Sequence, residues 1–209
     1  IFDCDGVLFD SNKVKTQGFR FALKEYRKEE VEKLITFHQK YGGISRYKKF
    51  DYFFSEILNL EQYKKNYDDS LLAFNSYMEK ELFNVNFVEG VRSFIHYCWK
   101  NQINLYIVSG GDHLELNRLI EKKKINKYFS MILGSPISKS ENLEKVLLCE
   151  KSRNGIFIGD SRVDYFCARE QDLDFMFVEQ FSEDKMFFKE QKLTIHKRIY
   201  NFTDKNLYP

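Results

Sequence analysis

The spacing of apolar residues after position 84 predicts helices and strands that alternate along the chain. Helical spacing occurs over residues 91–100, 113–124 and 141–150. Short apolar runs rich in β-forming residues lie at 103–108, 128–133, 155–158 and 175–178, and residues 1–4 add a fifth run. Strands separated by helices form right-handed crossovers, so we predict an α/β fold with a Rossmann-like, doubly wound parallel sheet.

No strand pattern occurs between residues 12 and 84. Helical spacing covers 14–26, 29–41, 47–58 and 68–82 instead. We therefore predict a core domain formed by residues 1–11 and 85–209, and a small helical-bundle cap at 12–84. An insertion directly after the first strand can cover the strand ends like a lid. In the tail we predict a short helix at 184–191 and an extended segment at 193–200.

Composition and charge narrow the class of protein. Hydrophobic residues make up 43% and charged residues 31% of the chain, as in ordinary globular proteins. The net charge of +2 is the difference between 33 basic and 31 acidic residues spread along the chain, so we expect no nucleic-acid partner. No apolar stretch is long enough to span a bilayer, and the four cysteines lack the spacing of a zinc site. We expect a cytoplasmic monomer or homodimer without a membrane partner.

Acidic and small polar residues follow three of the predicted strands, namely Asp3 and Asp5, Ser109 and Gly110, and Asp160 and Asp164. The carboxyl ends of parallel strands share one edge of the sheet, so these residues should meet there. Asp3 and Asp5 alternate in an extended segment and can start on one face. Two close carboxylates call for a cation, and Mg²⁺ binds carboxylate oxygens while keeping room for a substrate phosphate. The alternative for an isolated acid pair is a loop that caps a helix.

The string FDCDGVLFDS at 2–11 is more specific, and with the later motifs it resembles the haloacid dehalogenase superfamily. The similarity is to the branch of phosphoglycolate phosphatase and β-phosphoglucomutase, which carries a helical C1-type cap. It implies that Asp3 is the nucleophile that becomes phosphorylated and that Asp5 is the general acid/base. Members that cleave carbon–halogen bonds lack the second Asp, so Asp5 implies phosphate-ester chemistry. Since Ile1 and Phe2 lead directly into Asp3, we expect the sequence to begin partway along its first strand.

The resemblance also implies the residues that bind the phosphoryl group. VSGG at 108–111 matches the second motif, in which the Ser109 hydroxyl and the following Gly110 N–H would bind phosphoryl oxygens. Lys139, in SPISK at 135–139, is the expected third-motif lysine that neutralises the phosphoryl group. This run differs from the commoner Lys-Pro arrangement of the branch.

The fourth motif supplies the metal ligands that the resemblance implies. GDSRVD at 159–164 matches it, with Asp160 as a ligand of Mg²⁺ and Asp164 supporting the ion directly or through water. Asp3 and Asp5 complete the expected metal site. The alternative for this motif is a helix N-cap at Asp160 with Asp164 in the first turn, which is compatible with metal binding.

Substrate contacts are expected on the cap loop GGISRYKK at 42–49, where a flexible break precedes three cations. These cations suit a small anionic or polyhydroxylated substrate, although they would also fit the exposed start of a helix. The candidates on this loop and beside the acidic loop are Gly43, Ser45, Arg46, Lys49, Gly6 and Asn12.

These observations predict a Mg²⁺-dependent phosphatase that hydrolyses a small phosphorylated metabolite through an aspartyl-phosphate. A sugar or polyol phosphate, within carbohydrate metabolism, is the expected substrate. One alternative is a phosphomutase of the β-phosphoglucomutase type, which would use the same residues. Another is a protein that binds a phosphorylated ligand without turnover.

Overall fold

A parallel β-sheet forms the centre of the protein, whose computed structural model describes residues 1–190 and 193–208. Its strands are β1 Tyr106–Asp112, β2 Met131–Ser135, β3 Ile156–Gly159, β4 Asp174–Val178 and β5 Lys197–Ile199. Strands β1 and β2 pair with each other, and β3, β4 and β5 form a second parallel set. Phe2 bridges Ile107 of β1 and Ile158 of β3 and joins the two sets into one sheet.

Helices cover both faces of this sheet because successive strand residues point to opposite sides. Ile107 and Ile158 belong to an apolar cluster that includes α5 and α6. Val108 and Phe157 belong to a second cluster that includes α7, α8 and α9. The predicted doubly wound α/β fold is therefore confirmed. The helices of the core are α5 Val91–Lys100, α6 His113–Lys122, α7 Lys139–Glu150, α8 Arg162–Glu170 and α9 Lys185–Glu190.

Four helices precede the core helices and pack around aromatic side chains. The rings of Phe19, Phe50 and Phe74 lie with centroids 4.5 to 5.7 Å apart. All four helices fall within the predicted cap segment 12–84, whose boundaries as a domain stay a prediction. They are α1 Asn12–Ala22, α2 Lys28–Lys40, α3 Arg46–Tyr52, which continues as a π-helical turn at Phe53–Ile57, and α4 Lys64–Glu81.

The first predicted strand is reduced to a bridge at Phe2. The Cys4 carbonyl accepts hydrogen bonds from the N–H groups of Leu8 and Phe9, and Gly6 has a φ of 75°, so the chain turns out of the sheet. The second predicted strand, 103–108, begins only at Tyr106 and continues through the glycines to Asp112. Predicted strand 128–133 begins at Met131, after a 3₁₀ turn.

The alternative interpretation of the fourth motif placed the helix N-cap at Asp160. In the structure the N-cap of α8 is Ser161. The Ser161 hydroxyl accepts from the Asp164 N–H, and the Asp164 carboxylate accepts from the Ser161 N–H. This capping box leaves Asp160 outside the helix. In the tail, α9 and β5 lie inside the predicted segments, while residues 191 and 192 lie outside the described part of the chain. Within that part, no helix has the length and apolar character needed to cross a membrane.

Candidate active site

Three buried carboxylates meet at the carboxyl edge of the sheet. Asp3 follows the bridging residue Phe2, Asp160 follows β3, and Asp164 lies in the first turn of α8. Carboxylate oxygens of the three residues all lie within 4.8 Å of one another. The structure thus brings together three of the four acids expected to bind metal.

Lys139 lies against this cluster from the first position of α7. Its Nζ donates to Asp3 Oδ1 at 2.9 Å and also contacts Asp164 Oδ1. Burial by itself would lower the pKa of Lys139, but the adjacent Asp164 and Asp3 outweigh burial and raise it. The expected third-motif lysine is therefore a charged ammonium beside the expected nucleophile.

The donor set of the cluster fits a divalent cation. Three carboxylates face one ammonium, and burial together with mutual repulsion raises the pKa of Asp3 to about 7 and that of Asp160 well above its ordinary value. No hydrogen-bond donor among the described residues contacts Asp3 Oδ2 or Asp160 Oδ1, so both oxygens are available. Both oxygens of Asp164 are engaged, since Oδ2 accepts from the Ser161 N–H at 3.0 Å. Asp3 and Asp160 would hold Mg²⁺ and Asp164 would support them.

The carboxylate of Asp5 points elsewhere. It accepts from the Ser11 hydroxyl at 2.5 Å and forms an ion pair with Lys15, and it is not part of the cluster of three acids. Burial would raise the pKa of Asp5, but Lys15 and Ser11 outweigh burial and lower it. The geometry does not support the prediction that the Asp5 side chain ligates the metal. The Asp5 carboxylate instead lines a small cavity beside Asp3.

Ser109 and Gly110 form the phosphate-loop candidate at the end of β1. Ser109 is buried, and its Oγ accepts from the Gly111 N–H at 3.1 Å. No described residue accepts a hydrogen bond from the Ser109 hydroxyl, which leaves its proton free for a ligand. A Cβ on Gly110 would overlap the carbonyl oxygen of Gly43, so the cap loop rests directly on this loop.

Two predicted substrate-binding residues lie against Asp160. Asn12 Nδ2 donates to Asp160 Oδ2 at 3.0 Å and to the Phe181 carbonyl at 3.1 Å. Gly6 adopts a φ of 75°, and a Cβ there would overlap the Asp160 carboxylate. Asn12 therefore positions the acid, and the absence of a side chain at Gly6 leaves room for it; their contact with substrate stays a prediction. Ser45, a third predicted contact, accepts from the Lys48 N–H as the N-cap of α3.

Arg46 connects the cap helices to the core. Its guanidinium contacts Glu115 of α6, donates to Asn75 Oδ1 at 2.6 Å, and lies 4.6 Å from the centre of the Phe74 ring. The neighbouring Tyr47 hydroxyl donates to the Asp112 carboxylate at 2.7 Å. These contacts hold the cap helices against the strand ends.

A small cavity lies between the acids and the cap helices. Its volume of ≈ 20 Å³ leaves room for about one water molecule. A phosphate ester does not fit, so this is a closed arrangement that must open to admit substrate. Besides Asp3 and Asp5, residues on its wall include Lys15, His38, Gly43, Arg46, Lys49 and Gly110.

Lys15 and His38 lie on the cavity wall, and neither was predicted as a site residue. Lys15 follows Ser11 by four residues, so the helix brings both side chains to the same side, where Asp5 lies. That spacing was a usable signal. No comparable signal exists for His38, whose position depends on packing against Phe19 and on Lys49.

A wider cavity of ≈ 430 Å³ lies at the opposite end of the sheet. It is lined mainly by apolar side chains, including Phe2, Phe94, Val146 and Ile156. None of the three clustered acids lines it.

A parallel sheet with buried acids and a lysine at its carboxyl edge defines an α/β enzyme with a site suited to a metal and an anionic substrate. The family model described as haloacid dehalogenase-like hydrolase matches residues 1–178, and the chain belongs to this family. This agrees with the resemblance carried by the sequence motifs.

Solved structures share the fold at low sequence identity. A haloacid dehalogenase-like family hydrolase from Streptococcus pneumoniae is 19% identical, with a TM-score of 0.73 over 99% of this chain and 95% of that one. A predicted phosphoglycolate phosphatase from Haemophilus somnus is 16% identical, with a TM-score of 0.74 over 97% and 93%. CbbY from Rhodobacter sphaeroides, in complex with phosphate, is 13% identical, with a TM-score of 0.71 over 97% and 93%. No curated protein sequence matches the chain.

Proposed function

We propose that the protein is a Mg²⁺-dependent phosphatase that hydrolyses a small phosphate monoester through a phosphorylated Asp3. The observation that supports this most strongly is the position of Asp3, which is buried between Lys139 and two further carboxylates and borders the cavity beside Asp5. Membership of a hydrolase family and the fold shared with phosphatases support the same reaction class.

In the first step, a carboxylate oxygen of Asp3 attacks phosphorus and the bond from phosphorus to the ester oxygen breaks. The Lys139 ammonium stabilises the negative charge on the phosphoryl group, and the Ser109 hydroxyl donates to one of its oxygens. Mg²⁺, when bound, would neutralise phosphoryl charge and keep Asp3 ionised despite its raised pKa. The products are an alcohol and an aspartyl-phosphate.

Asp5 moves the protons in both steps. Protonated Asp5 gives its proton to the leaving oxygen, and ionised Asp5 then takes a proton from the water that attacks the phosphoenzyme. The ion pair with Lys15 lowers the pKa of Asp5 and keeps it ionised, which suits the second step. The first step requires a proton on Asp5, so this ion pair must loosen when substrate enters.

Hydrolysis of p-nitrophenyl phosphate and a broad panel of phosphate esters tests this function. We expect Mg²⁺-dependent phosphate release that EDTA abolishes and that Asp3→Asn reduces to background, since the amide keeps the shape and removes the nucleophile. The matched control is Asp172→Asn, an exposed acid outside the site, which should behave as wild type. Absence of phosphate release from every ester, with folded protein and Mg²⁺ present, would contradict the proposal.

A further inference from the structure

Lys49 is a buried lysine in the wall of the closed cavity, and no acid of the site forms an ion pair with it. Its exposed fraction is 2%, and its Nζ contacts His38 Nδ1 at 2.7 Å and the Gly42 carbonyl at 3.2 Å. No carboxylate oxygen of the described residues lies within 4.0 Å of it. Both partners of the ammonium are therefore uncharged groups.

The other cations around the cavity differ in this respect. Lys15 contacts Asp5, and Lys139 contacts Asp3. Arg46 contacts a carboxylate of α6. Each of these three charges is balanced inside the protein, whereas a positive charge on Lys49 has no carboxylate partner among the described residues. A buried charge without a partner of opposite sign costs free energy, so such a residue is most economically explained by an anion that arrives with the substrate.

His38 adds an unsatisfied donor at the same place. Its exposed fraction is 4%, and Nδ1 accepts from the Lys49 ammonium, which leaves the ring proton on Nε2. Burial, with Lys49 close by, lowers the pKa of His38 well below its usual value, so the ring is neutral. Nε2 is buried and has no hydrogen-bond partner within residues 1–190 and 193–208. A buried N–H of this kind is completed by an acceptor, and oxygens of an anion are acceptors.

We propose that Lys49, positioned by His38, binds a second anionic group of the substrate. The substrate class is then a small phosphate monoester that also carries a carboxylate or a second phosphoryl group, in preference to a neutral polyol or sugar monophosphate. This inference rests on the proposed phosphatase activity. The phosphoryl group to be transferred already has Lys139 and the acidic cluster, so Lys49 remains for a different part of the molecule.

The test compares esters that differ in one anionic group. Wild-type enzyme with Mg²⁺ is given 2-phosphoglycolate and 2-hydroxyethyl phosphate, which have similar size and differ in the carboxylate. A second pair, fructose 1,6-bisphosphate and fructose 6-phosphate, asks whether the second anion is a phosphoryl group. We expect kcat/KM to be at least about tenfold higher for the doubly anionic member of one pair, since a charge-assisted contact is worth that much. Equal or lower values for both overturn the inference.

Variants of Lys49 connect the preference to this side chain. In Lys49→Met the ratio of kcat/KM between the two members of the preferred pair should fall to within about threefold of one, and Lys49→Arg should keep most of it. Lys48→Met removes an exposed cation one residue away and should leave the ratio unchanged. A wild-type ratio in Lys49→Met, or a lost ratio in Lys48→Met, contradicts the assignment. If Lys49→Met does not fold, the inference is tested by the ratio of kcat/KM in wild type and by its retention in Lys49→Arg.

Failure of the inference can be distinguished from failure of the proposed function. Hydrolysis of p-nitrophenyl phosphate without any preference for the second anion defeats the inference alone. If no ester is hydrolysed, calorimetric titration of Asp3→Asn with both pairs replaces kinetics. Tighter binding of the doubly anionic member of either pair then supports the anion site, and equal binding in both pairs overturns it.

Discussion

Closure of the cap helices over the strand ends depends on the absence of a side chain at Gly110. A Cβ at this position would lie 2.9 Å from the Gly43 carbonyl carbon and overlap its oxygen, whereas ordinary contacts are 3.4–4 Å. The Gly110 backbone has an ordinary φ, so alanine is locally tolerated. Gly110→Ala should therefore displace the cap loop by about 1 Å or more, and a misplacement of that size costs about 100-fold in rate.

Two measurements on Gly110→Ala check this reasoning. We expect kcat/KM for the best substrate to fall about 100-fold, while stability changes by about 1 kcal/mol or less because opening relieves the overlap. Hydrogen exchange at residues 42–49 should become faster as the loop leaves the core. In the control Gly111→Ala, the new Cβ would meet Lys15 Nζ and Ser109 Oγ at 3.4 Å, an ordinary contact, so the loss should be smaller. Wild-type kcat/KM and unchanged exchange in Gly110→Ala would refute the closure argument.

Three further predictions concern the charged groups. Lys139→Met should lower kcat for p-nitrophenyl phosphate by about 100-fold or more, while exposed Lys145→Met should not; equal kcat in both variants would contradict the role of the buried ammonium. Burial lowers the pKa of Lys49 from 10.5 to about 7, so unfolding takes up a proton between these values. The stability of wild type relative to Lys49→Met, measured by urea unfolding, should thus rise with pH across this window by up to about 1.4 kcal/mol per unit, and a flat difference would argue against an unbalanced charge. Mg²⁺ should raise the thermal midpoint of wild type and of Asp172→Asn but not of Asp160→Asn, and an equal rise in all three would exclude Asp160 as a ligand.

The sequence was sufficient to predict the site residues that lie where a strand or loop ends. Asp3, Asp160 and Lys139 each stand at a junction between a strand or loop and the next element, and the geometry of a parallel sheet brings such junctions together. Periodicity likewise predicted the helices of both parts, because their apolar faces repeat with the helical period. The first strand was overestimated because Gly6 turns the chain away after a single bridging residue.

The contacts and burial of individual side chains could not be predicted from the sequence. Lys49 was expected on the cap loop, but its burial against His38 depends on how two helices pack, which periodicity does not specify. Asn12 and Gly6 were assigned to substrate because they neighbour the acids in sequence, which does not reveal that Asn12 donates to Asp160 or that Gly6 lies against its carboxylate. Asp5 was grouped with the metal ligands for the same reason, although Lys15 draws its carboxylate away.

Detection of a phosphoryl group on Asp3 tests the central proposal most directly. Wild-type enzyme with Mg²⁺ is mixed with its best substrate, quenched in acid within the first turnover, and digested for peptide mass spectrometry. The account predicts an acid-stable, base-labile phosphoryl group on the peptide that contains Asp3, and its absence in Asp3→Asn. Turnover without this phosphopeptide, or a phosphoryl group on another residue that persists in Asp3→Asn, would contradict the account.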